Sequence, residues 1–80
     1  MMTFEAIFDR LAGIVAEKLN IDRATVKPES TMQDLGADSL DMVEIVMRIE
    51  EEFNIEINDA DAERLHTLQE VVEYIKGRIK

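Results

Sequence analysis

The stretch from Gly36 to Phe53, G-A-D-S-L-D-M-V-E-I-V-M-R-I-E-E-E-F, constrains this chain more than any other. A glycine suited to a tight turn and a serine between two acids lead into a run with helical spacing. At about 100° per residue, Met42, Ile45, Val46, Ile49 and Phe53 fall on one side, a stripe wide enough to face a core. Leu40, Val43 and Met47 gather on a second side, and Glu44 and Glu51 point the same way. A helix that had only to fold would need the first stripe alone. The second is surplus, and apolar surface rimmed by charge marks a docking surface.

The remaining pattern is also helical. Thr3 is placed to cap a first helix, with Glu5 in its opening turn, and Phe4, Ile7, Phe8, Leu11, Ile14 and Val15 keep helical spacing. Gly13 inside that helix costs about 1 kcal/mol against alanine, and close packing would be its justification. Asn20, tolerant of left-handed backbone, ends the helix near Leu19. A long connection, Ile21 to Asp38, follows. Pro28 pushes Lys27 towards extended geometry, Ser30 to Gln33 suits a capped single turn, and Val26, Met32 and Leu35 read as anchors. A connection of this length inside a small domain is usually functional. Beyond Phe53, Ile55 and Ile57 alternate inward, and Asn58 or Asp59 caps a brief helix through about Leu65. Thr67 to Glu70 forms a capping box for a last helix, whose apolar face is Leu68, Val71, Val72, Ile75 and Ile79. Lys76, Arg78 and Lys80 gather at its end, where positive charge is favoured. The expectation is one all-α domain over residues 1–80, a small four-helix bundle of three longer helices and one short one with a long first loop.

Charge narrows the function. The chain has 18 Asp and Glu against 9 Lys and Arg, a net of −9. From Asp38 to Glu63 there are ten acids and one base, Arg48, so that window alone carries −9 and the remainder is neutral. Such a surface repels nucleic acid and anionic membranes and draws basic protein partners. No apolar run is long enough to cross a bilayer. The N-terminus lacks the basic start and apolar middle of a signal peptide, so a cytoplasmic, monomeric protein is expected. Cysteine is absent, which removes disulfides and thiolate metal sites.

No catalytic constellation stands out. Ser39 as a nucleophile would need a base and a group to orient it. The sole histidine, His66, lies far along the chain at a helix junction and reads as a surface or capping residue. Leu40 and Asp41 after the serine do not complete a nucleophile elbow. Asn54, Glu56 and Asn58 imitate the start of a calcium loop, but Asp59 occupies the position that needs glycine, so no metal site is expected. For Ser39 the plain reading is an N-cap, a role that Asp38 fills equally well. A helix N-terminus is also a ready site for phosphate.

Leu35 to Phe53 resembles the signature of acyl carrier proteins, and the resemblance extends through A-E-K-L-N-I-D at Ala16 to Asp22 and F-N-I-E-I-N-D at Phe53 to Asp59. It implies that Ser39 receives 4'-phosphopantetheine from coenzyme A, added by a phosphopantetheinyl transferase (a holo-acyl-carrier-protein synthase). It further implies acyl groups carried as thioesters on that arm between basic-patched enzymes of fatty acid synthesis, and a bundle interior that shelters the chain. In the family, the face at Leu40, Val43 and Met47, with Asp38, Asp41, Glu44 and Glu51 around it, meets those partners. Asn20 and Asn54 stand where relatives often have glycine. Asn58 replaces a common proline, which is expected to loosen the start of the third helix, and Arg48 puts a cation beside the docking face. A polyketide or other specialised carrier is the close alternative, and an acidic helical adaptor without prosthetic group the distant one.

Overall fold

Each helix begins where a short polar side chain accepts from the backbone two or three residues on. In the computed structural model, which describes residues 2–79, Thr3 Oγ1 accepts the Ala6 N–H at 3.2 Å and starts α1, Phe4–Leu19. Asp38 starts α2, Ser39–Phe53. Asn58 starts α3, Asp59–Arg64, and Thr67 starts α4, Leu68–Arg78, through a reciprocal box with Glu70. A 3₁₀ turn at Arg23–Thr25 begins the long connection. The result is the all-α, four-helix architecture the sequence implied, with no strands among the described residues beyond a single isolated bridge between Thr31 and Thr67.

Helix ends obey the same local logic. Asn20 and Asn54 take left-handed backbone, φ 56° and 54°, and their N–H groups close onto Ala16 and Glu50 carbonyls. Asparagine adopts this region more readily than most side chains. Gly36, at φ 91°, makes the turn that delivers the chain into α2.

Packing buries the predicted stripes. α1 lies against both α2 and α4, and Ile7, Leu11, Val15, Ile45, Ile49, Leu68, Val72 and Ile75 are sealed from solvent. Truncating one such side chain to alanine costs about 2–5 kcal/mol. Phe53 and Ile57 complete this core, and Val26 and Met32 pin the long connection to it, with Leu35 packed at its edge. Among the described residues no buried one is polar or charged. The connection is also stitched to α4, because Leu68 N–H donates to the Ser30 carbonyl at 3.0 Å and Gln69 N–H to that of Pro28 at 2.9 Å.

Several local expectations need correction. Thr31 caps the single turn, its hydroxyl accepting the Asp34 N–H at 2.9 Å, while Ser30 turns back to the Lys27 N–H at 3.2 Å. Gly13 is exposed, and a Cβ there would meet nothing within 4 Å, so close packing does not explain it. Asn58 is the N-cap of α3. Its Oδ1 accepts the Asp61 N–H at 2.8 Å, a bond proline cannot supply. α3 does end where the sequence placed it, at Arg64 with Leu65 as its C-cap. Lys76 and Arg78 lie in the last turn of α4, and Lys80 falls outside the described residues.

Candidate functional site

Two side chains competed for the N-cap of α2, and the structure gives it to Asp38. Its Oδ1 accepts the Asp41 N–H at 2.8 Å, and Asp41 Oδ2 accepts the Asp38 N–H at 3.2 Å. This reciprocal box satisfies donors that have no partner within the helix. Ser39 is therefore the first helical residue, exposed, with capping already done by its neighbour. The plain reading of this serine as a cap is set aside by geometry.

Ser39 sits on the rim of an open groove of about 1010 Å³ between α2 and α3. Met42, Val43, Val46 and Met47 form the α2 wall, and Ala62 with Leu65 the opposite one. Ile57 contributes to its lining, while acids and His66 lie around it. Glu50 ties α2 to the segment leading into α3, because its carboxylate accepts the Ile57 N–H at 2.8 Å. Val43 and Met47 belong to both the groove wall and the surplus stripe. Leu40, Val43 and Met47 are 65%, 56% and 56% exposed, the most exposed large apolar side chains among the described residues.

The acids around that stripe differ from one another. Asp38 and Asp41 are engaged by backbone amides of the α2 box. Glu44 forms an ion pair with Lys18 of α1 while its side chain stays 43% exposed. Arg48, expected beside the docking face, approaches Glu17 of α1 at 3.5 Å. Arg10 and Glu52, 3.1 Å apart, add a third pair across the same helix interface. Exposed pairs of this kind contribute about 0–1 kcal/mol each. Glu51 remains exposed on α2 without an ion-pair partner among the described residues.

One polar cluster escaped the sequence reading. Asp61 of α3, with a side chain only 12% exposed, accepts the Tyr74 hydroxyl at 2.7 Å and an Arg78 N–H at 3.3 Å, and also pairs with Arg64. Arg78 lies over the Tyr74 ring at 4.6 Å. The Tyr74 hydroxyl, then Arg64, hold the Asp61 carboxyl below its usual range, and burial first, then Asp61, pushes the Tyr74 phenol up. α3 contributes no fully buried residue, although Ala62 and Leu65 pack against the core, and this cluster adds a polar link from α3 to α4. Spacing could not reveal it, because its members come from two helices. Among the described residues no three potential metal ligands converge, the Asn54–Glu63 segment included.

An exposed, unengaged hydroxyl on a groove rim suits a covalent tether rather than a buried cofactor. Comparisons with known proteins bear on the family of the chain. A family model described as a phosphopantetheine attachment site matches residues 9–75. An acyl carrier protein of Campylobacter lari is 53% identical over 73 residues, covering 90% of this chain and 95% of the relative. Another, from Wolinella succinogenes, is 54% identical over 72 residues, covering 89% of this chain and 95% of the relative.

Proposed function

The chain belongs to the acyl carrier proteins, and on that premise we propose that Ser39 is the residue that bears the arm. The protein is a carrier rather than an enzyme, with phosphopantetheine as its prosthetic group and fatty acid synthesis the usual setting of such carriers. The arm, once bound, supplies a terminal thiol that holds acyl groups as thioesters. Everything else is the work of the chain itself.

The observation that carries the assignment is the division of labour at the start of α2: Asp38 caps, so the Ser39 hydroxyl stays outside. The groove beside it offers Met42, Val46, Ile57 and Leu65 as apolar surface on which an acyl chain lies out of water. The surplus stripe of Leu40, Val43 and Met47 is the docking surface, with Glu51, Asp38 and Asp41 as its negative border and Glu44 shared with Lys18. Basic patches on a phosphopantetheinyl transferase and on the enzymes of the pathway complement it. Steering by such charge raises association rates about 10–1,000-fold while each exposed pair adds little affinity, so complexes form fast and part fast. The domain works as a cytoplasmic monomer spanning residues 1–80, and no described helix is long and apolar enough to cross a membrane.

Incubation with coenzyme A and a phosphopantetheinyl transferase, followed by mass spectrometry, tests the attachment. The natural chain gains one arm and Ser39→Ala gains none. Addition to Ser39→Ala would sink the assignment. Which synthases accept the loaded form separates a fatty acid carrier from a polyketide or other specialised one.

A further inference from the structure

On its α1 side the docking stripe of α2 is flanked by four charges that cancel. Glu44 is paired with Lys18 of α1, and Arg48 approaches Glu17 of α1 at 3.5 Å. Each helix supplies one acid and one base, so this corner is neutral although the Asp38 to Glu63 window around it carries −9. Side chains three and four apart on a helix are neighbours, which puts Glu44 beside both Met47 and Leu40, two of the exposed apolar residues. An acid in that position lies within the footprint of anything seated on the stripe, yet a base of the same chain already occupies it. Lys18 is held there. Its side chain is 30% exposed, the least of any base in an ion pair among the described residues. Glu51, two turns further along α2, is exposed and has no such partner among the described residues.

We infer that Lys18 is a built-in competitor for the basic face of the phosphopantetheinyl transferase that loads this chain, covering Glu44 until a cation of the partner displaces it. The inference rests on the docking surface proposed above. A cation arriving over Leu40 and Met47 finds Glu51 open and Glu44 taken, and it gains Glu44 only by breaking the internal pair. An exposed pair is worth about 0–1 kcal/mol, at most about a fivefold change in an equilibrium. The competitor therefore brakes association without blocking it. Lys18 also repels the partner's bases simply by being a cation near the stripe. The two effects separate, because the competition disappears once Glu44 loses its charge and the repulsion does not. A basic partner that binds through Glu51 and avoids Glu44 escapes the brake, so Lys18 makes the face selective among basic partners.

The test is a double-mutant cycle on loading of the apo chain by coenzyme A and a phosphopantetheinyl transferase. It reads kcat/KM, and circular dichroism checks the fold of each variant. Salt at about 0.1 M, with a Debye length of about 10 Å, leaves charges in contact largely unscreened. Lys18→Gln, which keeps helix propensity, is expected to raise kcat/KM about two- to fivefold, through KM rather than kcat. In a Glu44→Gln background the same substitution leaves the rate nearly level. Lys18→Arg, which keeps a cation opposite Glu44, gives no such gain. A Lys18→Gln rate equal to that of the natural chain, an equal gain in Lys18→Arg, or a gain that persists in full beside Glu44→Gln overturns the inference. The docking surface stands through any of these as long as Met47→Ala slows loading. If Met47→Ala loads as fast as the natural chain, the docking surface falls and the inference falls with it.

Discussion

Exchanging two adjacent side chains tests the geometry at the start of α2. In the apo protein, Asp38→Ala removes the acceptor of the 2.8 Å bond from the Asp41 N–H, while Asp41 Oδ2 still faces the backbone N–H of residue 38. Loss of an N-cap of this type costs about 1 kcal/mol. For an 80-residue chain, that lowers the melting temperature by about 4–8 °C. Asp38→Asn keeps an acceptor of similar capping strength, so most of the loss is restored although the charge is gone. Ser39→Ala removes a hydroxyl that caps nothing and substitutes a better helix former, so its melting temperature stays level or rises slightly. Thermal unfolding followed by far-ultraviolet circular dichroism reads all three. If Ser39→Ala melts as low as Asp38→Ala, the serine is the true cap, its hydroxyl is engaged, and the case for an available tether point fails.

Gly13→Ala should stabilise by about 1 kcal/mol, because the added methyl group meets no atom within 4 Å; an unchanged or lower melting temperature would show a constraint on that turn. The Asp61 carboxyl, held down chiefly by the Tyr74 hydroxyl, and the Glu70 carboxyl, held down chiefly by the Thr67 N–H, stabilise the fold above the ordinary carboxylate range and lose that contribution as pH falls through their folded values. The gap in melting temperature between the natural chain and Tyr74→Phe should therefore narrow from pH 7 to about pH 3, below the ordinary carboxylate pKa, and a gap constant with pH would refute the role given to the phenol. At the docking stripe, Met47→Ala and Glu51→Lys should slow transfer to partner enzymes severalfold with the melting temperature kept within about 2 °C, since both side chains are exposed. Equal transfer rates would move the docking surface elsewhere.

The helices were legible in the sequence because their signals are local. Thr3, Thr67, Asn20 and Asn54 act on residues within one turn of themselves, and the apolar stripes of α1, α2 and α4 repeat at the helical period. At Asp38 and Ser39 the local signal is degenerate, since both carry suitable oxygens, and only the distance to the Asp41 N–H decides between them. Glu44 shows a different limit. A projection of α2 alone gives its direction, but not the pairing with Lys18 on the neighbouring helix. His66 and Asp61 show the same dependence on tertiary neighbours: one gains its place at the groove from loop packing, the other its partners from α4.

The stitch between the long connection and α4 has a bearing on how this molecule comes apart. The opening amides of a helix usually look to water or to a nearby side chain. Here Leu68 and Gln69 draw on carbonyls at Ser30 and Pro28, dozens of positions upstream. The last helix cannot be fully completed until the first crossing has settled, and loosening that crossing strips the helix of its leading bonds. In hydrogen exchange the two amides should open together with the connection as a single cooperative unit, so what looks like a mere span between helices is the foundation on which the final one is raised.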